Sequence, residues 1–87
     1  MSLRELAVQG RVVGEREVRR AMTKGLLGKI FIASDSDAKT LRGILEAAAS
    51  SGVEVEKVDS RLKLGRACAI GRPAAVAGLP GKAPEKR

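Results

Sequence analysis

The chain has 87 residues, one cysteine and no histidine, so neither an intrachain disulfide nor the usual cysteine- and histidine-rich zinc site can staple it. Hydrophobic residues make up 44% of it, nearly all aliphatic, and Phe31 is the single aromatic. The core must come from aliphatic burial, and base stacking on aromatic platforms is excluded as a binding mode. Seventeen Lys and Arg against ten Asp and Glu leave a net charge of +7, which favours a polyanionic partner, nucleic acid being the commonest. Residues 82–87 hold three of the positive charges and one negative, so the rest of the chain is still +5. No apolar run reaches transmembrane length and the N-terminus lacks the apolar centre of a signal peptide. A soluble, intracellular, cytoplasmic protein is expected, with no membrane partner.

In chain order, residues 2–9 read as a first helix, with Ser2 as cap, Glu5 three residues on, and Leu3, Leu6 and Ala7 on one face. Arg11, Val12 and Val13 read as a brief strand. Gly14 turns the chain into a helix over residues 15–24, with Val18, Ala21 and Met22 as its apolar stripe and Arg16, Arg19, Arg20 and Thr23 on another face. Residues 29–34, KIFIAS, form the clearest strand, and the continuous apolar run suits burial on both faces. Asp35, Ser36 and Asp37 open a helix over residues 38–51 whose buried side is Leu41, Ile44, Leu45 and Ala48, and Gly52 ends it. Val53, Val55 and Val58 mark a third strand. Ser60 caps a short basic helix, and residues 74–77 make a last small strand. Strands alternating with helices imply an α/β fold: a three-layer α/β/α sandwich with a central mixed sheet of about four strands. Residues 1–79 form one domain. Residues 80–87, PGKAPEKR, have no periodicity and are expected to be a disordered basic tail. Phe31, Ile32, Ile44, Leu45, Val55 and Cys68 are the expected buried residues.

Catalysis finds little support. There is no histidine base, and Cys68 stands among Ala67, Ala69 and Ile70 as a small buried thiol rather than a nucleophile. Asp35 and Asp37 lie at the C-terminal end of a strand, where α/β proteins often bind metal or substrate, but without a third carboxylate helix capping is the better reading. No cofactor, metal or catalytic residue is expected. The GLPGK stretch lacks the spacing of a phosphate-binding loop.

Two stretches read as binding surfaces. The helix start carries Arg16, Glu17, Arg19 and Arg20, and its free N–H groups suit phosphate. Glu17 is out of place there as a charge, but a carboxylate can accept hydrogen bonds from base edges. The competing reading is a surface Glu17–Arg20 pair. The second stretch, VDSRLKLGRACAIG over residues 58–71, sets Arg61, Lys63 and Arg66 around Leu64 and Gly65. Leu64 and Ile70 read as anchors, and Gly65 permits close approach of the backbone to another group. Here the plainer alternative is a solvated helix followed by a buried strand edge.

The runs VGEREVRRAMTKG, KIFIASDSDAKTLRGILEAA and GVEVEKVDSRLKLGRACAIGRPAAVAGL together resemble the kink-turn RNA-binding ribosomal protein family of the L-seven-Ae type, in particular its compact bacterial members. LGRACAI is the most specific part. The resemblance implies an α/β/α sandwich that binds sharply bent RNA helices with tandem sheared G·A pairs beside a short bulge. Its Gly-x-Asn-Glu-x-x-Lys motif falls on Gly14, Glu15, Arg16, Glu17, Arg19 and Arg20, with Arg16 in the Asn position and Arg20 in the Lys position. Its second contact falls on the loop after Leu64, Gly65 and Arg66, at Ile70, Gly71 and Arg72, where Gly71-Arg72 replaces an acidic–aliphatic pair. That departure implies weaker base packing and an added phosphate contact. The resemblance thus implies a non-enzymatic, ribosome-associated protein, monomeric when free, with structured RNA as partner. Alternatives are a general basic rRNA binder, a protein-interaction module that has lost RNA binding, and, least favoured, a small metal-dependent enzyme using Asp35 and Asp37.

Overall fold

A computed structural model of the chain describes residues 11–81. The helix expected at residues 2–9 and most of the expected tail, residues 82–87, lie outside that span. Within it the order is β1 (Val12–Val13), α1 (Glu15–Thr23), β2 (Leu27–Ala33), α2 (Ala38–Ser51), β3 (Glu54–Val58), α3 (Arg61–Ala67) and β4 (Val76–Pro80). The four strands form one mixed sheet in the order β1-β4-β2-β3. β2 and β3 are parallel, joined by the crossover helix α2, and β4 runs antiparallel to both β2 and β1.

β2 is flanked on both sides, which is why its apolar run does not alternate with polar residues. Ile30 and Ile32 face α1 and α2, and Phe31 and Ala33 face α3. Leu27 shares the α1–α2 face with Ile30 although they are three positions apart, an odd step that would otherwise put them on opposite faces. The register slips between Leu27 and Lys29, so Gly28 is an extra residue in a bulge that restores the facing. Val18, Ala21 and Met22 of α1, Ile44 and Ala48 of α2, and Val76 complete one core cluster. Val58, Leu64, Cys68, Ala74 and Ala77 complete the other around Phe31 and Ala33. Each large side chain fully removed from water here contributes about 1.5–3 kcal/mol. The three-layer α/β/α architecture is therefore present, with α1 and α2 on one face and α3 on the other.

Helix ends follow local chemistry. The Asp37 side chain accepts from the Thr40 N–H at 3.4 Å, and Gly52 closes α2 in the left-handed conformation. Ser60 accepts from the Lys63 N–H at 3.1 Å and starts α3.

Several expectations need correction. Leu45 is 38% exposed, because it lies about 100° around the helix from the fully buried Ile44. Val55 is only half-buried, on a strand at the sheet edge. β2 starts two residues before the expected position and ends at Ala33 rather than Ser34. β4 occupies residues 76–80 rather than 74–77. Ala74 is held instead by α3, its N–H donating to the Arg61 carbonyl at 3.0 Å. The strand continues through Gly78, paired with Ile30, at a position where a side chain would meet Leu27 Cδ1 at 2.6 Å. It ends on Pro80, opposite Leu27, so Pro80 belongs to the sheet and not to a tail.

Candidate nucleic-acid interface

β1, β2 and β3 all end, and β4 begins, at one end of the sheet. The start of α1 and the loop of residues 69–75 both emerge there. Gly14 joins them. It follows β1 with φ +105°, a conformation L side chains rarely adopt, and its N–H donates to the Val76 carbonyl at 2.9 Å. The start of α1 is thereby tied to the residue on which the loop lands. Among the described residues no side chain caps α1, which leaves its first-turn N–H groups open to a ligand.

The predicted α1 residues divide by direction. Glu15 and Arg19 turn to α2. They pair with each other at 3.6 Å, and the Thr40 hydroxyl donates to Glu15 Oε1 at 3.4 Å. The Arg19 guanidinium fills the space a side chain at Gly43 would take: a Cβ there would lie 2.0 Å from Nη2. These two residues dock the helix. Arg16, Glu17 and Arg20 are exposed. Glu17 and Arg20, with Lys24, Val12, Ala21 and Leu26, line a shallow groove of about 330 Å³ between α1 and β1. No Glu17–Arg20 ion pair forms among the described residues.

On α3 the residues divide in depth. Leu64 is fully buried and Gly65 is buried, so both shape the surface from beneath. The close approach expected at Gly65 is to the chain itself: a Cβ there would lie 1.8 Å from the Arg72 carbonyl oxygen. Ile70 packs, half-buried, on the second core cluster. Arg61, Lys63, Arg66, Gly71 and Arg72 are exposed. Asp35 holds Arg61 twice, accepting from its backbone N–H at 2.8 Å and lying 3.4 Å from its Nε. Lys63 pairs with Asp59 at 3.3 Å. Arg16, Arg20, Arg66 and Arg72 make no ion pair among the described residues. Asp35 and Asp37 serve different helices, α3 and α2, which accounts for both without a metal.

Sequence reading missed Arg11, whose guanidinium donates to the Cys68 carbonyl at the end of α3. It also left out Lys24, although Lys24 follows Arg20 at one-turn spacing, a signal that was there to be used. Cys68 is fully buried. Burial pushes its thiol up, and the Arg11 charge and hydrogen bond pull the other way without cancelling that. Among the described residues, no helix is long and apolar enough to cross a membrane.

Comparison with known proteins agrees in sequence and in shape. The model of the ribosomal protein L7Ae/L30e/S12e/Gadd45 family matches residues 2–85. An RNA-binding protein of Geobacillus sp. strain WCH70 is 41% identical over 59 residues, 68% of this chain and 72% of that protein. RNA-binding protein YbxF of Geobacillus stearothermophilus is 35% identical over 71 residues, 80% of this chain and 87% of that one. The solved Giardia lamblia 15.5kD RNA binding protein has a TM-score of 0.84 at 25% identity, over 91% of this chain and 70% of that chain.

Proposed function

Because the chain belongs to the ribosomal protein L7Ae/L30e/S12e/Gadd45 family, we propose that it is a non-enzymatic RNA-binding protein that recognises kink-turns in structured RNA, acting as a monomer on ribosomal RNA in the cytoplasm. The observation that carries this reading is the Gly14–Val76 hydrogen bond. It ties the start of α1 to the landing point of the 69–75 loop, so that two surfaces distant in sequence can meet one bent RNA together.

In this reading Glu17 accepts hydrogen bonds from guanine edges of the sheared pairs, and Arg16 and Arg20 reach base edges and phosphates beside it. The uncapped N–H groups of α1 add a phosphate contact. Ile70 and Gly71 cover an unpaired nucleotide. Arg66 and Arg72, free of carboxylate partners among the described residues, meet phosphates. Gly14 and Gly65 act through backbone shape, and Glu15 and Arg19 by seating α1 on α2.

A second reading, a general basic rRNA binder, has its own support in Arg16 and in Gly71-Arg72, which strengthen charge at the expense of base-specific chemistry. Titration against a kink-turn RNA, and against the same RNA with its G·A pairs changed to G·C, separates the two. Kink-turn recognition predicts affinity at least about tenfold tighter for the first RNA, the size of one or two base-edge contacts. Equal affinity would leave only the general reading.

A further inference from the structure

A loop that reads RNA must keep one shape, and the backbone of the 69–75 loop works against this. Ala69 has φ +60°, a conformation disfavoured for any residue with a Cβ, and Gly71 turns left-handed again at φ +70°. Among the described residues, four backbone hydrogen bonds hold the loop. The Ala69 N–H donates to the Arg66 carbonyl at 2.9 Å, the Ile70 N–H to the Gly65 carbonyl at 3.2 Å, and the Ala74 N–H to the Arg61 carbonyl at 3.0 Å, while the Ala75 carbonyl accepts from the Ala33 N–H at 2.9 Å. The first three run to α3, and the fourth ties only the far end of the loop to β2. Leu64 and Cys68 pack α3 on the sheet through their side chains, but none of the four bonds ties the backbone at the C-terminal end of α3 to a strand.

Arg11 supplies that link. It stands just before β1, and its guanidinium donates to the carbonyl of Cys68, the residue that ends α3, 57 positions away. A cation suits a helix C-terminus, where the last carbonyls lack partners and carry partial negative charge. Gly14, at the other end of β1, is bonded to Val76. β1 has two residues, too few for its ladder alone to hold register. It is clamped at one end to α3 and at the other to the start of β4, and α1 begins directly after it.

We propose that Arg11 is a positioning residue for RNA recognition: it latches the end of α3 to β1, and so holds the turn at residues 69–72 in register with the start of α1. The proposal deepens the kink-turn reading and rests on it. Arg11 touches no RNA in this scheme. It sets the distance between two groups that do.

Arg11→Ala tests it, with Arg11→Lys as the conservative companion. Each is titrated against the kink-turn RNA and its G·C counterpart, and the rate of Cys68 with a thiol reagent is followed at one fixed pH. Arg11→Ala should lose about tenfold in kink-turn affinity, the worth of one hydrogen bond to a charged group. It should lose no more than about twofold on the G·C duplex, the share of one distant charge. Arg11→Lys keeps a charged donor without the fork and should fall between wild type and Arg11→Ala. It carries the same comparison should Arg11→Ala fail to fold.

The thiol rate gives opposite signs. If the loop stays in place, removing Arg11 takes away a charge that favours the thiolate, and Cys68 reacts more slowly. If the latch opens, burial is lost and Cys68 reacts faster. A faster reaction with a fallen ratio of kink-turn to duplex affinity is the expected result. A slower or unchanged rate would overturn the latch. A faster rate with an unchanged ratio would overturn the positioning role. Equal binding of both RNAs by wild type would end the kink-turn reading and with it the recognition role of Arg11, while a faster thiol reaction in Arg11→Ala would still establish the latch.

Discussion

Glu17 is an exposed carboxylate in the first turn of a helix whose neighbouring exposed charges, Arg16, Arg20 and Lys24, are positive. On charge alone, Glu17→Ala should tighten binding to any RNA. If Glu17 accepts from guanine, the same change should cost about 1–3 kcal/mol on a kink-turn and nothing on a plain duplex. Titration of both RNAs at one salt concentration reads the sign, and a mutant that binds the kink-turn as well as wild type would remove base recognition from this residue. Cys68 makes a separate prediction. Its thiol is pushed up in the folded chain, chiefly by burial, so the unfolded chain releases this proton first as pH rises. The contribution to stability is complete below the ordinary thiol value of about 8.5 and is lost as pH climbs above it. Urea unfolding at neutral and alkaline pH should show a fall in stability that is smaller in Cys68→Ala.

Two glycines inside helices give opposite answers to one substitution. Alanine is favoured over glycine in a helix interior by up to about 1 kcal/mol. At Gly43 the new Cβ meets the far end of Arg19, which can swing away at the expense of a surface pair with Glu15. Gly43→Ala should therefore stabilise by about 0.5 kcal/mol, the propensity gain less a few tenths for the pair. At Gly65 the Cβ meets the Arg72 carbonyl, a backbone group held by its neighbours. Gly65→Ala should destabilise by about 1–3 kcal/mol, as overpacking does, and should displace the loop. Denaturant midpoints decide both, and a stabilising Gly65→Ala would mean that the loop is not pressed on α3. The amino-acid pattern marked Gly65 as a place of close approach without saying to what. It did not mark Gly43, because nothing local distinguishes that glycine from a weak helix former.

Over the whole molecule the excess of +7 sets a salt-dependent attraction to RNA, and the ion pairs decide which cations contribute to it. Arg61 and Lys63 already face Asp35 and Asp59. Arg66 and Arg72 have no such partner among the described residues. Alanine at any of the four should weaken binding to all RNAs alike and reduce the slope of log affinity against log salt by about one unit or less. The reductions should be larger for Arg66 and Arg72 than for Arg61 and Lys63. Titrations across a salt series measure this, and the reverse ranking would show that the surface pairs open on binding.

What the sequence determined by itself is what local chemistry controls. The bounds of α2, residues 38–51, could be read from Asp37 and Gly52 because a cap and a left-handed stop act within a few residues. The buried stripe of α1 and the two-sided burial of β2 follow from periodicity alone, and they carry the α/β/α architecture with them. Motif spacing named the two stretches of the candidate site. Only the tertiary structure decided how they are built. It turned Glu15 and Arg19 to α2, buried Leu64 beneath the surface, gave Asp35 to Arg61 rather than to α2, and ran β4 through Gly78 to Pro80 opposite Leu27. It also joined Arg11 to Cys68. Each of these depends on which residue from a distant part of the chain arrives alongside, and a strand or a loop, unlike a helix, finds most of its hydrogen bonds and contacts outside its own stretch of sequence.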